Sequence, residues 1–258
     1  MNALLVAPAK LRSDGVAAEE RIDGVGDVYL TGRLPHAAVT YGVSGVGVTL
    51  STEQAELARK RIAKAGVAER VEVRQQDYRD VGDGPFDLIA SVGMAEHVGE
   101  ERFAEYARNL HGLLKPGGRL LNHQISRRPG PRRAYRSFMD AYVFPDGDLL
   151  PLAQVVGALE NAGLEVRDVE SLREHYARTL RAWVTNLESA WDHAVELTSD
   201  GRARVWRLYM AASALGFETG RIGVNQVLAV RPGPGGESGM PPTRAYLAEA
   251  WWATRSTR

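Results

Sequence analysis

From residue 44 onward, short apolar runs alternate with stretches whose apolar residues recur every three or four positions. The first pattern suits a strand buried on both faces, and the second a helix lying on a sheet. "SGVGVTL" (44–50) is such a run, and "EQAELARKRIAKAG" follows with Ala55, Ala58, Ile62 and Ala65 at helical spacing and Gly66 as a stop. "RVEVR" (70–74) reads as the next strand, and "FDLIASV" (86–92) as another that breaks at Gly93. Phe103, Tyr106, Ala107, Leu110, Leu113 and Leu114 trace one helix face, which "KPGG" ends before "RLLNHQI" (119–125) resumes as strand. Leu152, Val155, Val156, Leu159 and Ala162 mark a further helix, with Pro151 at its first turn and Gly163 after its last. "LEVRDVESL" (164–172) reads as strand, two amphipathic helices fill roughly 174–198 and 202–217, and "RIGVNQVLAV" (221–230) closes the pattern as strand. The alternation predicts an α/β chain with a mostly parallel sheet and helices on both faces.

In such a sheet a ligand sits beyond the carboxyl ends of the strands. Thr49 to Gln54, Asp77 to Arg79, Gly93 to His97 and His123 to Ile125 all fall at or just after strand ends, so these four segments are expected to converge on one cleft. A carboxylate such as Glu96 is ordinary in the first turn of a helix, near the positive end of its dipole. Convergence of the four segments raises a cleft role for Glu96 above that reading. His97 is expected to be a structural neighbour, because adjacent helical residues diverge by ~100°.

Composition narrows the chemistry. Lys plus Arg equals Asp plus Glu at 32 each, so no overall charge excess points to nucleic acid. The absence of cysteine excludes disulfides, thiolate metal sites and a cysteine nucleophile, and it fits a reducing cytoplasm. No metal site is expected. No apolar run approaches the ~18 residues of a membrane span, and "MNALLVAPAK" has no basic residue ahead of its apolar core, so no signal peptide is read. A soluble cytoplasmic protein is the expectation.

"LLKPGGRLL" (113–121), between a helix and a strand, resembles the turn before the fifth strand of class I methyltransferases that use S-adenosylmethionine. Taken with "GVTLSTEQ" (47–54), "DYRD" (77–80), "GMAEHVG" (93–99), "YVFPDGDLLP" (142–151) and "EHYARTLRAW" (174–183), in that order, the chain resembles the cyclopropane-fatty-acyl-phospholipid synthase family from about Tyr41 to Arg244. The resemblance implies a Rossmann-like, seven-stranded sheet with the last strand antiparallel and cap helices at about 174–217. It implies methyl transfer from S-adenosylmethionine to the cis double bond of an unsaturated phospholipid acyl chain, at a peripheral membrane contact and without nucleic acid, giving a cyclopropane or methyl-branched product. A bicarbonate ion in the cleft would accept the proton, with Glu96, His123, Ile125 by its backbone, and Tyr176 around it. On the cofactor side the resemblance implies Thr49, Ser51 and Gln54 at the ribose, Asp77 facing the adenine amino group with Tyr78 stacked and Arg79 beside them, and Gly93 admitting the cofactor. Read without the family, "STEQ" is a helix cap with polar filler, and an Asp in a turn is commonplace.

The first βα turn departs from the family. Where a glycine-rich loop should admit the methionine end of the cofactor stands "RIDGVGDVYLTGRLPHAAVTYGV" (21–43), in which Gly24 and Gly26 after Asp23 form a shortened imitation, while Gly32 and Pro35 interrupt the helix that should follow. The long helical segment that the family carries upstream is missing, so an N-terminally truncated member is expected. The resulting organisation is a divergent segment at 1–40, a methyltransferase domain at 41–231 and a flexible tail at 232–258. Two other readings stay open: a methyltransferase of the same fold acting on a soluble small molecule, and a non-catalytic lipid-binding remnant. "RRPGPRRAYR" (127–136) suits a headgroup or a solvated loop alike, Trp183, Trp191 and Trp206 suit core or acyl tunnel, and a homodimer is left open.

Overall fold

The computed structural model describes residues 2–6, 34–130, 137–145 and 147–243. Its strands are β1 (Asn2–Val6), β2 (Gly45–Thr49), β3 (Val71–Gln75), β4 (Phe86–Val92), β5 (Leu114–Arg127), β6 (Glu165–Ser171) and β7 (Ile222–Val230). The helices are α1 (Leu34–Tyr41), α2 (Thr52–Lys64), α3 (Glu100–Leu113), α4 (Phe138–Tyr142), α5 (Leu152–Asn161), α6 (Arg173–Ser189), α7 (Trp191–Leu197) and α8 (Asp200–Glu218). The strands form one sheet in the order β3-β2-β1-β4-β5-β7-β6.

The expected seven strands are present, and the last is antiparallel to both β5 and β6. The first strand departs from the expected direction. β1 pairs antiparallel with β2 and with β4, Asn2 lying opposite Thr49 and Ala3 opposite Ser91. Five strands, β2 to β6, therefore run one way, and β1 and β7 run against them. Asn2 is therefore level with the carboxyl end of β2, and Val6 lies toward the amino ends of β2 and β4. Asp23, Gly24, Gly26 and Gly32 lie outside the described residues, as does the tail from 244. Pro35 does not break a helix: it sits in the first turn of α1, where its missing N–H costs nothing.

Helical periodicity translates directly into packing. Ala55, Ala58 and Ile62 bury one stripe of α2, with α1 and the Val71 and Val73 side of β3, on one face of the sheet. Phe103, Tyr106, Ala107 and Leu110 bury a stripe of α3 on the other face, with Val155 and Leu159 of α5. A third cluster joins Ala177 and Leu180 of α6 to Met210, Ala214 and Phe217 of α8, over Ile125 and Val224 of the sheet. The cap region is three helices rather than two. α6 ends at Ser189, and Ala190, with its N–H on the Asn186 carbonyl, separates it from the short α7.

"KPGG" is not a turn outside the sheet, because β5 starts at Leu114 and runs through it, with a register shift against β4 between Phe86 and Leu88. Gly117 has φ 77° and donates its N–H to the Arg231 carbonyl at 2.7 Å. At Gly118 a Cβ would lie 2.7 Å from the Lys115 carbonyl oxygen and 3.1 Å from that of Phe86, so the bulge closes only around a bare α-carbon. Gly118→Ala should therefore destabilise the protein by about 1–3 kcal/mol in urea denaturation. Gly112→Ala in α3, whose Cβ meets nothing within 4 Å, should be neutral or gain up to about 1 kcal/mol.

Candidate active site

The site is built where β4 ends at Val92 beside His123 of β5, which itself runs on to Arg127, on a bend that only glycine accepts easily. Gly93 has φ 63° and gives its N–H to the His123 carbonyl at 3.0 Å, so β4 turns sharply beside β5. A Cβ on Gly93 would meet no atom within 4 Å, which leaves the φ angle, and not crowding by the protein, as the reason for glycine. The chain then makes a short 3-10 turn over Ala95–His97. That turn is anchored from outside by the Asp148 N–H, which donates to the Glu96 carbonyl at 2.8 Å.

Glu96 is 9% exposed, and its Oε1 accepts the backbone N–H of Ile125 at 2.8 Å. Its Oε2 is buried with no hydrogen-bond partner among the described residues. Burial pushes the carboxyl group up to about 7, against the lowering effect of the Ile125 N–H. His123, two residues before Ile125 on β5, stands on the same face. Its Nε2 lies 2.8 Å from the Tyr176 hydroxyl on α6 and its Nδ1 3.3 Å from the amide nitrogen of Gln226 on β7. The four residues expected at the anion site are thus brought together, but the Ile125 N–H faces Glu96. Gln226 was not foreseen, since only the β5–β7 register, with His123 opposite Gln226, reveals it.

A second group of predicted residues lines a cavity of about 100 Å³ at the ends of β2 and β3. Thr49, Asp77, Tyr78 and Arg79 border it together with Leu50, Met94 and His97. His97, expected to be a bystander, is a cavity-lining residue: the 3-10 turn sends Glu96 inward and His97 toward this cavity, where it also meets Phe144 edge to face at 6.2 Å. Ser51 and Gln54 are occupied locally. The Ser51 hydroxyl caps α2 by accepting the Gln54 N–H at 3.2 Å, and Thr49 donates to the Gln54 side-chain oxygen at 3.1 Å. Asp77 holds its own neighbour, accepting the Arg79 backbone N–H at 2.9 Å and the guanidinium at 2.7 and 3.0 Å, which keeps its carboxyl below the ordinary range.

The arginine-rich stretch splits. Arg127 donates to the carbonyls of Leu149, Arg128 and Gly130, and Arg128 to that of Thr219, so these two guanidinium groups tie backbone together. Arg132, Arg133 and Arg136 lie outside the described residues. Trp183 packs against the α6–α8 core, Trp206 is 38% exposed, and Trp191 lies under the Arg207 guanidinium at 5.2 Å. Among the described residues no group of carboxylates and histidines could hold a metal ion, and no helix is long and apolar enough to cross a membrane.

A sheet ordered β3-β2-β1-β4-β5-β7-β6 with β7 reversed, and polar residues gathered at the ends of β2 to β5, defines the Rossmann-like methyltransferase class. A structure of a "putative sarcosine dimethylglycine methyltransferase" from Galdieria sulphuraria shares this fold, with TM-score 0.70 and 14% identity over 80% of this chain and 75% of that one. The model of the mycolic acid cyclopropane synthetase family matches residues 30–227, and the chain belongs to that family. It is 44% identical over 214 residues to a Pseudomonas putida protein named "Probable fatty acid methyltransferase", covering 81% of this chain and 54% of that protein. It is 33% identical over 201 residues to the cyclopropane-fatty-acyl-phospholipid synthase of Escherichia coli K12, covering 78% and 51%. The cyclopropane synthase MmaA2 of Mycobacterium tuberculosis superposes with TM-score 0.72 at 27% identity, covering 77% of this chain and 73% of that one. The chain spans about half the length of these two curated relatives.

The raised carboxyl of Glu96 has a measurable consequence. The folded protein holds this proton more tightly than the unfolded chain, so stability falls as pH climbs from near 4.5 to about 7. At about 1.4 kcal/mol per pKa unit the loss is about 3 kcal/mol. Urea denaturation should find wild type and Glu96→Gln similar at pH 4.5, and the variant more stable by about that amount at pH 8. Equal differences at both pH values would show that Glu96 titrates normally.

Proposed function

We propose that this chain is an S-adenosylmethionine-dependent methyltransferase of the cis double bond in unsaturated phospholipid acyl chains, working at the cytoplasmic membrane surface around a bicarbonate ion. The observation that carries the proposal is the buried Glu96 carboxylate, with Oε1 held and Oε2 without a hydrogen-bond partner among the described residues, beside the His123–Tyr176 pair. An acceptor buried in this way calls for a donor from a ligand, and a hydroxyl-bearing anion such as bicarbonate offers one. When bound, S-adenosylmethionine would supply an electrophilic methyl group and bicarbonate a base. An alkene is a poor nucleophile, so the protein's task is to align, to exclude water and to manage one proton. Glu96 accepts the ligand hydroxyl, Tyr176 and His123 form the opposite wall, and α6 and α8 shield the site from water. Thr49, Asp77, Tyr78 and His97 hold the adenosine end in the cavity that they line. Asp77 must then give up part of its hold on Arg79 to meet an amino group. Cyclopropane and methyl-branched products share the same first step, and the same residues serve both.

One observation favours a non-catalytic lipid-binding reading: β1 runs antiparallel to its neighbours, so its last residue, Val6, lies at the end of the strands away from the cleft. Incubation with methyl-labelled cofactor and unsaturated phospholipid vesicles separates the readings. Label in the lipid is the expected result, label only in a soluble metabolite points to a different substrate, and vesicle binding without label contradicts methyl transfer. Glu96→Gln, His123→Gln and Tyr176→Phe should each lower turnover by about 10²-fold or more, with cofactor binding little changed. Their combination should cost about as much as any one alone, because they hold one ligand together. Independent multiplication of the three losses, or loss of cofactor binding with turnover per bound cofactor intact, would contradict the shared anion site.

A further inference from the structure

His123 uses both ring nitrogens, and the second contact has a part to play in the first. β5 and β7 pair antiparallel with His123 directly opposite Gln226, so the two side chains rise from the same face of the sheet. That face is the one covered by α6 and α8, since Ile125 and Val224, the next pair along it, belong to the cap cluster. Nε2 of the ring lies 2.8 Å from the Tyr176 hydroxyl, and Nδ1 lies 3.3 Å from Nε2 of the Gln226 amide.

A neutral imidazole carries a single proton, so what faces Nδ1 decides what Nε2 can do. An amide N–H directed at Nδ1 makes that nitrogen the acceptor and leaves the proton on Nε2. Nε2–H then donates to the Tyr176 oxygen, and the phenol directs its own proton away from the ring. In the other tautomer Nε2 would take the Tyr176 proton, and the phenol would face the cleft as an acceptor only. A carboxylate at Glu96 already supplies an acceptor there, so an anion bound between them would lack a donor from Tyr176.

We infer that Gln226 is a positioning residue, whose amide holds His123 as the Nε2–H tautomer so that Tyr176 presents its hydroxyl proton to the cleft. The consequence for catalysis rests on the function proposed above, whereas the tautomer itself does not. A reversed amide would present its oxygen to Nδ1 and select the opposite tautomer, so the position of the proton on His123 is a direct readout.

The test is ¹⁵N NMR of the full chain labelled at histidine, with the His123 signals identified by their loss in His123→Gln. Wild type should show the neutral ring protonated at Nε2. Gln226→Glu, whose ionised side chain can only accept, should move the proton to Nδ1, and Gln226→Met should give a mixture of the two. In turnover Gln226→Met should lower kcat by about tenfold to a hundredfold, the range for removing a group that orients a functional histidine, with the cofactor KM within about twofold. A wild-type ring protonated at Nδ1, or one ¹⁵N pattern shared by wild type and both variants, would overturn the assignment. So would a loss of turnover in Gln226→Met without any change in that pattern. If Gln226→Met fails to fold, wild type and Gln226→Glu decide the question. A wild type without turnover but with the expected tautomer shift supports Gln226 and removes the proposed function instead.

Discussion

The site turns on one hydrogen bond, the 2.8 Å contact from the Ile125 N–H to the Glu96 carboxylate. A carboxylate this deeply buried is costly, and one backbone donor offsets only part of the cost. The remainder shows as the upward shift of its pKa and as an oxygen with no partner among the described residues. Several features of the surrounding chain serve to keep Glu96 in that position. Gly93 supplies the left-handed bend, its N–H joins the turn to β5, and Asp148 holds the turn from the far side. Behind it, the fully buried Tyr106 donates to the Asn122 side-chain oxygen at 2.6 Å and shares a 2.7 Å hydrogen bond with the Ser91 hydroxyl, which ties β4 to β5 beneath the site.

The two halves of the cleft are built differently. The side proposed for the anion rests on strands and on the α6–α8 cap, with His123 held from two directions. The cavity side rests on loops, and its polar groups satisfy one another: Asp77 with Arg79, Thr49 with Gln54, Ser51 with the first turn of α2. Such local pairs keep polar side chains satisfied until a ligand competes for them. Burial raises the Tyr209 phenol, and the charge of Glu96 raises it further, while Tyr209 packs edge to face on Phe144, which in turn packs on His97. A run of aromatic contacts therefore joins the cap helix to the turn that carries both titratable residues.

Much of this was legible in the chain. The apolar stripe Phe103, Tyr106, Ala107 and Leu110 marks a helix and the face it buries, and Thr49, Asp77 and Gly93 at or just after strand ends mark where polar residues gather, whereas His123 lies inside β5, which runs on to Arg127. What escaped was non-local or backbone-dependent. Gln226 is unremarkable in "GVNQV" and acquires meaning only from an antiparallel register with a strand about a hundred residues away. Helical spacing makes His97 a bystander, but a 3-10 turn beside a cavity can send neighbouring side chains to two parts of one site. "KPGG" looked like a turn because Pro and Gly punctuate sequences, yet here two glycines let a strand bulge and continue. The direction of β1 has no signature in five apolar-rich residues, since pairing in either sense satisfies the same backbone groups.

Under the proposed function, Glu96 is a buried carboxylate tuned by its surroundings to receive an anion's hydroxyl. Infrared difference spectra of wild type minus Glu96→Gln, recorded from pH 4 to 9 with and without bicarbonate, read that group directly. The account predicts a carboxyl band that disappears with a midpoint near 7 and a midpoint that moves when bicarbonate is added. A midpoint near 4.5 that is indifferent to bicarbonate would contradict it.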